Sequence, residues 1–240
     1  PLPEVDAAFA QWKSEWAAKV DQRWTALNPT QVESLNDSTM TIQPDHSVLA
    51  SGATPDTDIY TLEAQSTATT IRAIKLETFT DPSLNDKLGR SENGNFILTG
   101  FDVEYADPAT PNTFKKVAFT RSFVNIEQPE FKIAQALDGN VATGWAPDGH
   151  GQAGNRMAIF VPSQPFGFKE GTKLRIKLTQ QHSIVKHLIG RFRVSVTEAP
   201  EWGLIHRQAW HTSGPYKAQT KEESKDKDFV ATEPIDLAAT

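Results

Sequence analysis

Apolar and polar residues alternate with a period of two in short runs between residues 40 and 200. Such alternation places one face of an extended strand against a core and the other face in water. The clearest runs are residues 74–77, 101–105, 174–178 and 192–196. Turn-forming segments separate them, with no helical pattern in between, at residues 81–83, 92–95, 106–108 and 138–140. The pattern predicts an all-β chain folded as an antiparallel β-sandwich, and argues against a βαβ fold.

The first 28 residues follow a different pattern. Five apolar residues recur there at spacings of three and four: Phe9, Trp12, Trp16, Val20 and Trp24. This spacing puts them on one face of an amphipathic helix that packs on the core, and Asn28-Pro29 is expected to end the helix. We therefore predict an N-terminal helix over residues 1–28, a β-sandwich module over 29–200, and a linker with the start of a following module over 201–240.

Composition narrows the range of functions. A chain of 240 residues can build one substantial core. Its net charge of -6 and its lack of a long basic cluster predict no nucleic-acid partner. No apolar run approaches the roughly 20 residues of a bilayer-spanning helix, so we expect no membrane span. The motifs of serine hydrolases, zinc proteases, Walker-type nucleotide binders and dinucleotide binders are missing from the sequence, so we predict that the chain is not an enzyme.

The segment from Gln135 to Trp145 carries the most informative chemistry. Calcium takes six to eight oxygen ligands, which a tight loop can supply from carboxylates, amides, hydroxyls and backbone carbonyls. Four residues here are candidate ligands: Gln135, Asp138, Asn140 and Thr143. Gly139 permits the backbone conformation of a turn. The alternative is an ordinary Asp-Gly-Asn turn without an ion.

The order Asp138-Gly139, then Thr143, then Trp145 resembles the calcium loop of discoidin or coagulation-factor type C domains. These domains are galactose-binding-like jelly rolls that include many carbohydrate-binding modules. In that family a backbone carbonyl and a following Glu at the start of the last strand complete the site. The resemblance implies that Thr99 supplies the carbonyl, that Gly100 stands where the family has Glu, and that the order of segments is circularly permuted.

A second resemblance covers most of the chain. It rests on residues 45–52, 58–60, 74–77, 89–90, 93–96, 138–139, 143–145 and 190–195. Together these segments resemble the central region of large multidomain proteins of planctomycetes and related bacteria, which commonly carry a cytochrome c domain and domains of unknown function. The chain begins at Pro1 and ends in mid-pattern at Thr240, so we expect a piece of such a protein. The resemblance implies a secreted, periplasmic or cell-surface location, with neighbouring domains of the parent chain as partners.

The function that these resemblances imply is a non-catalytic carbohydrate-binding module with a structural calcium site and a polysaccharide or glycan as partner. Sugar sites combine an aromatic face with planar polar side chains, usually on loops. Two loops offer such residues. The first carries Trp145, Asp148 and His150, and the second carries Arg90, Asn93 and Asn95.

Each of these assignments has a structural alternative. Trp145 can instead be a core residue that seals the putative ion loop. Arg90 can pair with a carboxylate such as Glu77 or Asp81, while the two asparagines of its loop make turns. For the whole chain, the alternative function is a structural spacer or docking domain between catalytic or redox domains of the parent, and a hydrolase of unrecognised type is a third possibility.

Overall fold

The structure is a computed structural model that describes residues 23–151 and 154–199, together with Gln11 and Ser14. The described residues all belong to one compact unit. Most of the predicted N-terminal helix, apart from Gln11, Ser14 and residues 23–28, lies outside the described part, as do the predicted linker and following module at 201–240. No helix in that part is long and apolar enough to cross a membrane.

The described chain contains twelve strands. They are β1 Thr25–Ala26, β2 Asn28–Ser34, β3 Ser38–Ile42, β4 Val48–Gly52, β5 Asp58–Ser66, β6 Ala73–Phe79, β7 Gly100–Ala106, β8 Lys115–Lys116, β9 Phe119–Val124, β10 Arg156–Pro162, β11 Thr172–Gln180 and β12 Arg191–Thr197. Two short 3-10 helices, Pro82–Leu84 and Ile133–Leu137, lie in the connections. The four alternating runs of the sequence fall in β6, β7, β11 and β12, which confirms the all-β prediction.

The strands pair in two antiparallel sheets. Sheet A has the order β3-β4-β12-β6-β10-β9, with β1 also beside β12, and sheet B has the order β2-β5-β11-β7-β8. Rings from the two sheets meet in one core. Tyr60 of β5 stacks on Phe192 of β12 at 6.0 Å between centroids, and Phe101 of β7 stacks on Phe160 of β10 at 3.9 Å. The sheets therefore pack face to face, as in a sandwich.

Strand β11 shows how the sequence pattern produces this arrangement. Leu174, Ile176 and Leu178 are buried in the core, while Lys173 and the alternating residues beside it face outward. The alternation continues without a break over all nine residues of β11. Such a strand is held in register because a shift by one residue would turn its apolar face to water.

The predicted end of the N-terminal helix is wrong. Residues Thr25–Ala26 pair with β12, and Asn28–Ser34 pair with β5, so extended strands occupy the place where the helix was expected to stop. Pro29 does not terminate a helix but sits in the edge strand β2, at a register shift before Gln31. An edge strand with a bulge tolerates the missing N–H of proline. The sandwich thus begins at Thr25 rather than at residue 29.

Candidate functional site

The loop at residues 138–143 is closed by its own hydrogen bonds. The Asn140 backbone N–H donates to Asp138 Oδ1 at 2.7 Å, and the Ala142 N–H donates to Asn140 Oδ1 at 3.1 Å. Thr143 Oγ1 lies 2.7 Å from Asp138 Oδ2 and 2.9 Å from the Asn140 carbonyl oxygen. Gly139 has a φ of 74°, in the left-handed region that glycine adopts without strain.

These contacts fit a calcium ion only in part. Thr143 Oγ1 is within hydrogen-bond distance of both Asp138 Oδ2 and the Asn140 carbonyl oxygen, which makes these three oxygens the candidate ligands of the loop. The Gln135 side-chain oxygen instead accepts the Lys132 N–H at 2.7 Å. Three oxygens fall short of the six to eight that calcium takes. Among the described residues, no group of three or more His, Cys, Asp or Glu side chains could hold a metal.

Thr99 does lie beside this loop. Leu98 and Trp145 form an isolated antiparallel bridge, which brings the segment before β7 next to the end of the loop. The Thr99 hydroxyl, however, donates to the Thr179 carbonyl oxygen at 3.1 Å and accepts the Gln181 N–H at 3.1 Å. The side chain of Thr99 thus joins the residue before β7 to the end of β11, and these bonds do not involve the Thr99 backbone carbonyl, which is the predicted ligand.

Trp145 is a core residue. Its side chain is 0% exposed, its Nε1–H donates to the Ile126 carbonyl oxygen at 3.0 Å, and its ring meets Phe96 edge to face at 5.2 Å. A ring with no exposed face cannot stack on a sugar. This corrects the assignment of Trp145 to a ligand-binding surface and favours its structural alternative.

Arg156 donates hydrogen bonds to the backbone of the polar loop that follows Trp145. Arg156, the first residue of β10, is only 1% exposed. Its Nε–H donates to the Pro147 carbonyl oxygen at 2.7 Å, and its other nitrogens donate to Gly154 and Asp148 carbonyl oxygens. Burial lowers the pKa of the Arg156 guanidinium, and the nearby carboxylate of Asp148 partly offsets this effect.

Asp148 and His150 lie on the outer side of this loop. Asp148 is half-buried with a φ of 54°, and its Oδ1 is 3.7 Å from Nε2 of the exposed His150. The two side chains can form an ion pair when the imidazole is protonated. They remain accessible, but the aromatic ring that was expected beside them lies in the core.

Arg90 binds backbone and hydroxyl oxygens. Its guanidinium donates to Ser38 Oγ at 2.8 Å and to the carbonyl oxygens of Gly52 at 2.9 Å and Ala53 at 2.6 Å. These bonds tie its loop to the hairpin of β3 and β4. The expected alternative partners, Glu77 and Asp81, bind Arg193 and Arg191 instead.

The two asparagines of this loop serve different structural purposes. Asn93 Oδ1 accepts the Asn95 N–H at 3.0 Å, which makes the expected turn. Asn95 is 4% exposed, and its side chain donates to Gln128 Oε1 at 2.9 Å and accepts the Gly149 N–H at 3.0 Å. The two candidate loops therefore do meet, but they meet through bonds that leave Asn95 buried.

No protein-family model, curated protein or solved structure matches this chain. Any ligand site must therefore be sought in the geometry of the described residues.

The outer face of sheet B carries a groove that is a candidate ligand site. A groove of about 350 Å³ crosses β2, β5 and β11, and we call it the sheet B groove. It is lined by Gln31, Glu33, Thr61, Glu63, Arg175 and Lys177. A larger cavity of about 460 Å³ lies at Arg23 and Ala199, where the described chain begins and ends, so its walls are described only in part.

Charged side chains hold the floor of the sheet B groove in place. Glu63 binds Lys173 at 3.0 Å and Arg175 at 2.7 Å. Burial raises the pKa of the Glu63 carboxyl, but the hydrogen bonds and charges of Lys173 and Arg175 outweigh it and hold the pKa below its ordinary value. Glu63 is therefore an ionised acceptor at neutral pH.

An aromatic ring stands at the edge of this floor. Phe114 lies in the connection between β7 and β8, and the guanidinium carbon of Arg175 is 3.9 Å from its ring centroid. Arg175 also approaches Glu104 Oε2 at 3.5 Å. The guanidinium is thus fixed between two carboxylates and a ring, with five N–H donors in a rigid plane.

The sheet B groove is hard to predict from the sequence. Its residues occupy the outward positions of alternating strands, where polar side chains are expected on any sheet that faces water. Glu63 and Arg175 are 112 positions apart, and they meet only because β5 pairs with β11. The signal that could have been used is Phe114, an aromatic residue in an otherwise polar connection.

Proposed function

We propose that the chain is a non-catalytic carbohydrate-binding module of the galactose-binding-like jelly-roll type, carried with an N-terminal helix in a larger exported protein. We assign the glycan to the sheet B groove rather than to the loops. The observation that carries this proposal is the row of planar polar side chains along the groove, next to the ring of Phe114.

The side chains of the sheet B groove offer the groups that sugar hydroxyls need. Gln31 provides both an amide donor and an acceptor, Glu33 a carboxylate, and Thr61 a hydroxyl. Arg175 and Glu63 already hold each other in fixed positions, so less side-chain conformational entropy is lost when a ligand binds. The groove lies on an open sheet face, which suits an extended polysaccharide.

Single substitutions in the sheet B groove test this assignment. Lys177→Ala and Glu33→Ala each remove a lining side chain while leaving the Glu63–Arg175 pair intact. We expect each to weaken glycan binding by between about tenfold and about a hundredfold, because a hydrogen bond to a charged group contributes about 1.5–3 kcal/mol. Binding is measured by a glycan array, followed by titration of the polysaccharide that binds best.

The matched control is His150→Ala, which changes an exposed side chain on the candidate loop and should leave affinity unchanged. Loss of binding in His150→Ala with full binding in Lys177→Ala would move the site back to the loop. Absence of binding to every neutral and acidic polysaccharide would refute the carbohydrate function and favour the spacer or docking role.

Calcium is the second part of the proposal, and it rests on the three oxygens of Asp138, Asn140 and Thr143. A ligand bound only by the folded state at a hundred times its Kd stabilises by about 2.7 kcal/mol. For a domain of this size, that corresponds to a rise in Tm of roughly 5–10 °C. We expect such a rise on adding Ca²⁺, its reversal by a chelator, and its loss in Asp138→Ala. An unchanged Tm in the unsubstituted protein would make the loop an ordinary turn.

A further inference from the structure

The outer face of sheet A is covered, unlike that of sheet B. Across the central strands of sheet A, six outward-facing side chains are at most 7% exposed: Ser195, Thr197, Ala73, Lys75, Ile159 and Val161. We call this set the sheet A patch. The corresponding outward positions of β11 in sheet B are all half-exposed. A sheet face that simply met water would not bury a lysine and two branched aliphatic residues.

The sheet A patch is a hydrophobic cluster separate from the sandwich core. Ala73, Ile159 and Val161 pack together, with Met157 and Trp24 against them. Ser195, Lys75 and Ile159 are paired in one row across β12, β6 and β10, and Phe123 of β9 continues that row with 44% exposure. The apolar surface thus runs from the centre of the sheet to its edge.

Trp24 indicates what covers this surface. It stands immediately before β1, and its ring packs on the patch, with Lys75 Nζ 5.2 Å from the ring centroid. Trp24 is also the last member of the aromatic row that begins at Phe9. The side chain that leads into the undescribed N-terminal segment is therefore already seated on the sheet A patch.

We propose that the N-terminal segment docks on the sheet A patch through Phe9, Trp12, Trp16 and Val20. A helix from Phe9 to Val20 would be about 17 Å long. The distance from β12 across β6 and β10 to β9 is about 14 Å, or three strand spacings. The segment is long enough to cross the patch and reach Phe123, and its apolar face matches the apolar side chains beneath it. This inference stands apart from the glycan proposal, which concerns the opposite sheet.

Photo-crosslinking of the full chain tests the docking. Trp16→p-benzoylphenylalanine, and separately Trp12→p-benzoylphenylalanine, replace one aromatic ring by a photoreactive one. We expect crosslinks within one chain to peptides from β6, β10 and β12, identified by mass spectrometry. Phe114→p-benzoylphenylalanine, on the sheet B side, is the matched control and should give no crosslinks to these peptides.

Three results would overturn the proposal. Crosslinks to sheet B peptides would place the segment elsewhere. Covalent dimers on a denaturing gel would identify a second copy as the occupant. Failure of both variants to crosslink to the sheet A patch, in protein whose melting transition matches that of the control, would show that the segment does not dock there.

Discussion

Replacing Trp145 with alanine is expected to lower the free energy of unfolding by about 3–5 kcal/mol, the usual cost of removing a large aromatic side chain from a core. The ring is fully buried against Phe96, and its N–H satisfies the Ile126 carbonyl oxygen. Its backbone also pairs with Leu98, at the junction between the 138–143 loop and β7. The loss is measured by urea denaturation with linear extrapolation.

The control is Trp145→Phe, which keeps an aromatic ring and gives up the indole N–H. We expect this variant to lose about 1–2 kcal/mol, mainly from the lost hydrogen bond and part of the packing. A tryptophan that stacked on a ligand would behave differently, because surface substitutions usually change stability by less than about 0.5 kcal/mol. Trp145→Ala with unchanged stability and abolished glycan binding would therefore contradict the core assignment.

Trp145 is buried and Phe114 is partly exposed, although both are aromatic residues outside the strands. This difference shows which features could be predicted from the sequence and which could not. Alternation locates strands because a period of two is a local property, and all four predicted runs became strands. Whether a loop aromatic faces the core or water depends on which segments lie next to it. The bridge between Leu98 and Trp145 joins residues 47 positions apart, and no local sequence pattern predicts it.

The predicted end of the N-terminal helix was wrong for a related reason. Trp24 completes a row at helical spacing, and Asn28-Pro29 is a usual helix stop, so the local signals agreed with each other. Tertiary pairing decided otherwise, since Thr25 pairs with Val196 at the far end of the described chain. Pro29 is acceptable there only because β2 is an edge strand, and sheet order cannot be derived from alternation.

The outcome for polar residues was similar. Asn93 makes the turn that its sequence context predicted. Arg90 instead donates to carbonyl oxygens of the distant β3–β4 hairpin and not to a carboxylate. The sequence pattern does not single out Asp58, which lies in segment 58–60 of the resemblance to multidomain bacterial proteins. Its burial follows from the way the chain passes from β2 in sheet B to β3 in sheet A beside the start of β5, which the sequence pattern did not reveal.

Replacing Asp58 with alanine is expected to cost about 3 kcal/mol, because four hydrogen bonds to a buried carboxylate are lost and the buried Ser38 hydroxyl loses its carboxylate acceptor. The Asp58 side chain is 0% exposed. Its oxygens accept from the Ser34 hydroxyl at 2.6 Å, the Ser38 hydroxyl at 2.8 Å, the Asn36 N–H at 3.1 Å and its neighbour Ile59 N–H at 2.8 Å. One carboxylate thus joins the end of β2 in sheet B and the start of β3 in sheet A to the start of β5.

Two further variants isolate the effect of this carboxylate. Asp58→Asn should cost about half as much, because the Ser34 and Ser38 hydroxyls can rotate to accept from the new amide. Asp102→Ala removes a carboxylate that is 39% exposed and paired with Lys116, and should cost less than about 0.5 kcal/mol. Urea denaturation of the three variants gives the comparison. Equal losses in Asp58→Ala and Asp102→Ala would mean that β2 and β3 are held in place by pairing with β5 and β4 alone. The expected order instead means that Asp58 holds β2 in position, and with it one wall of the sheet B groove.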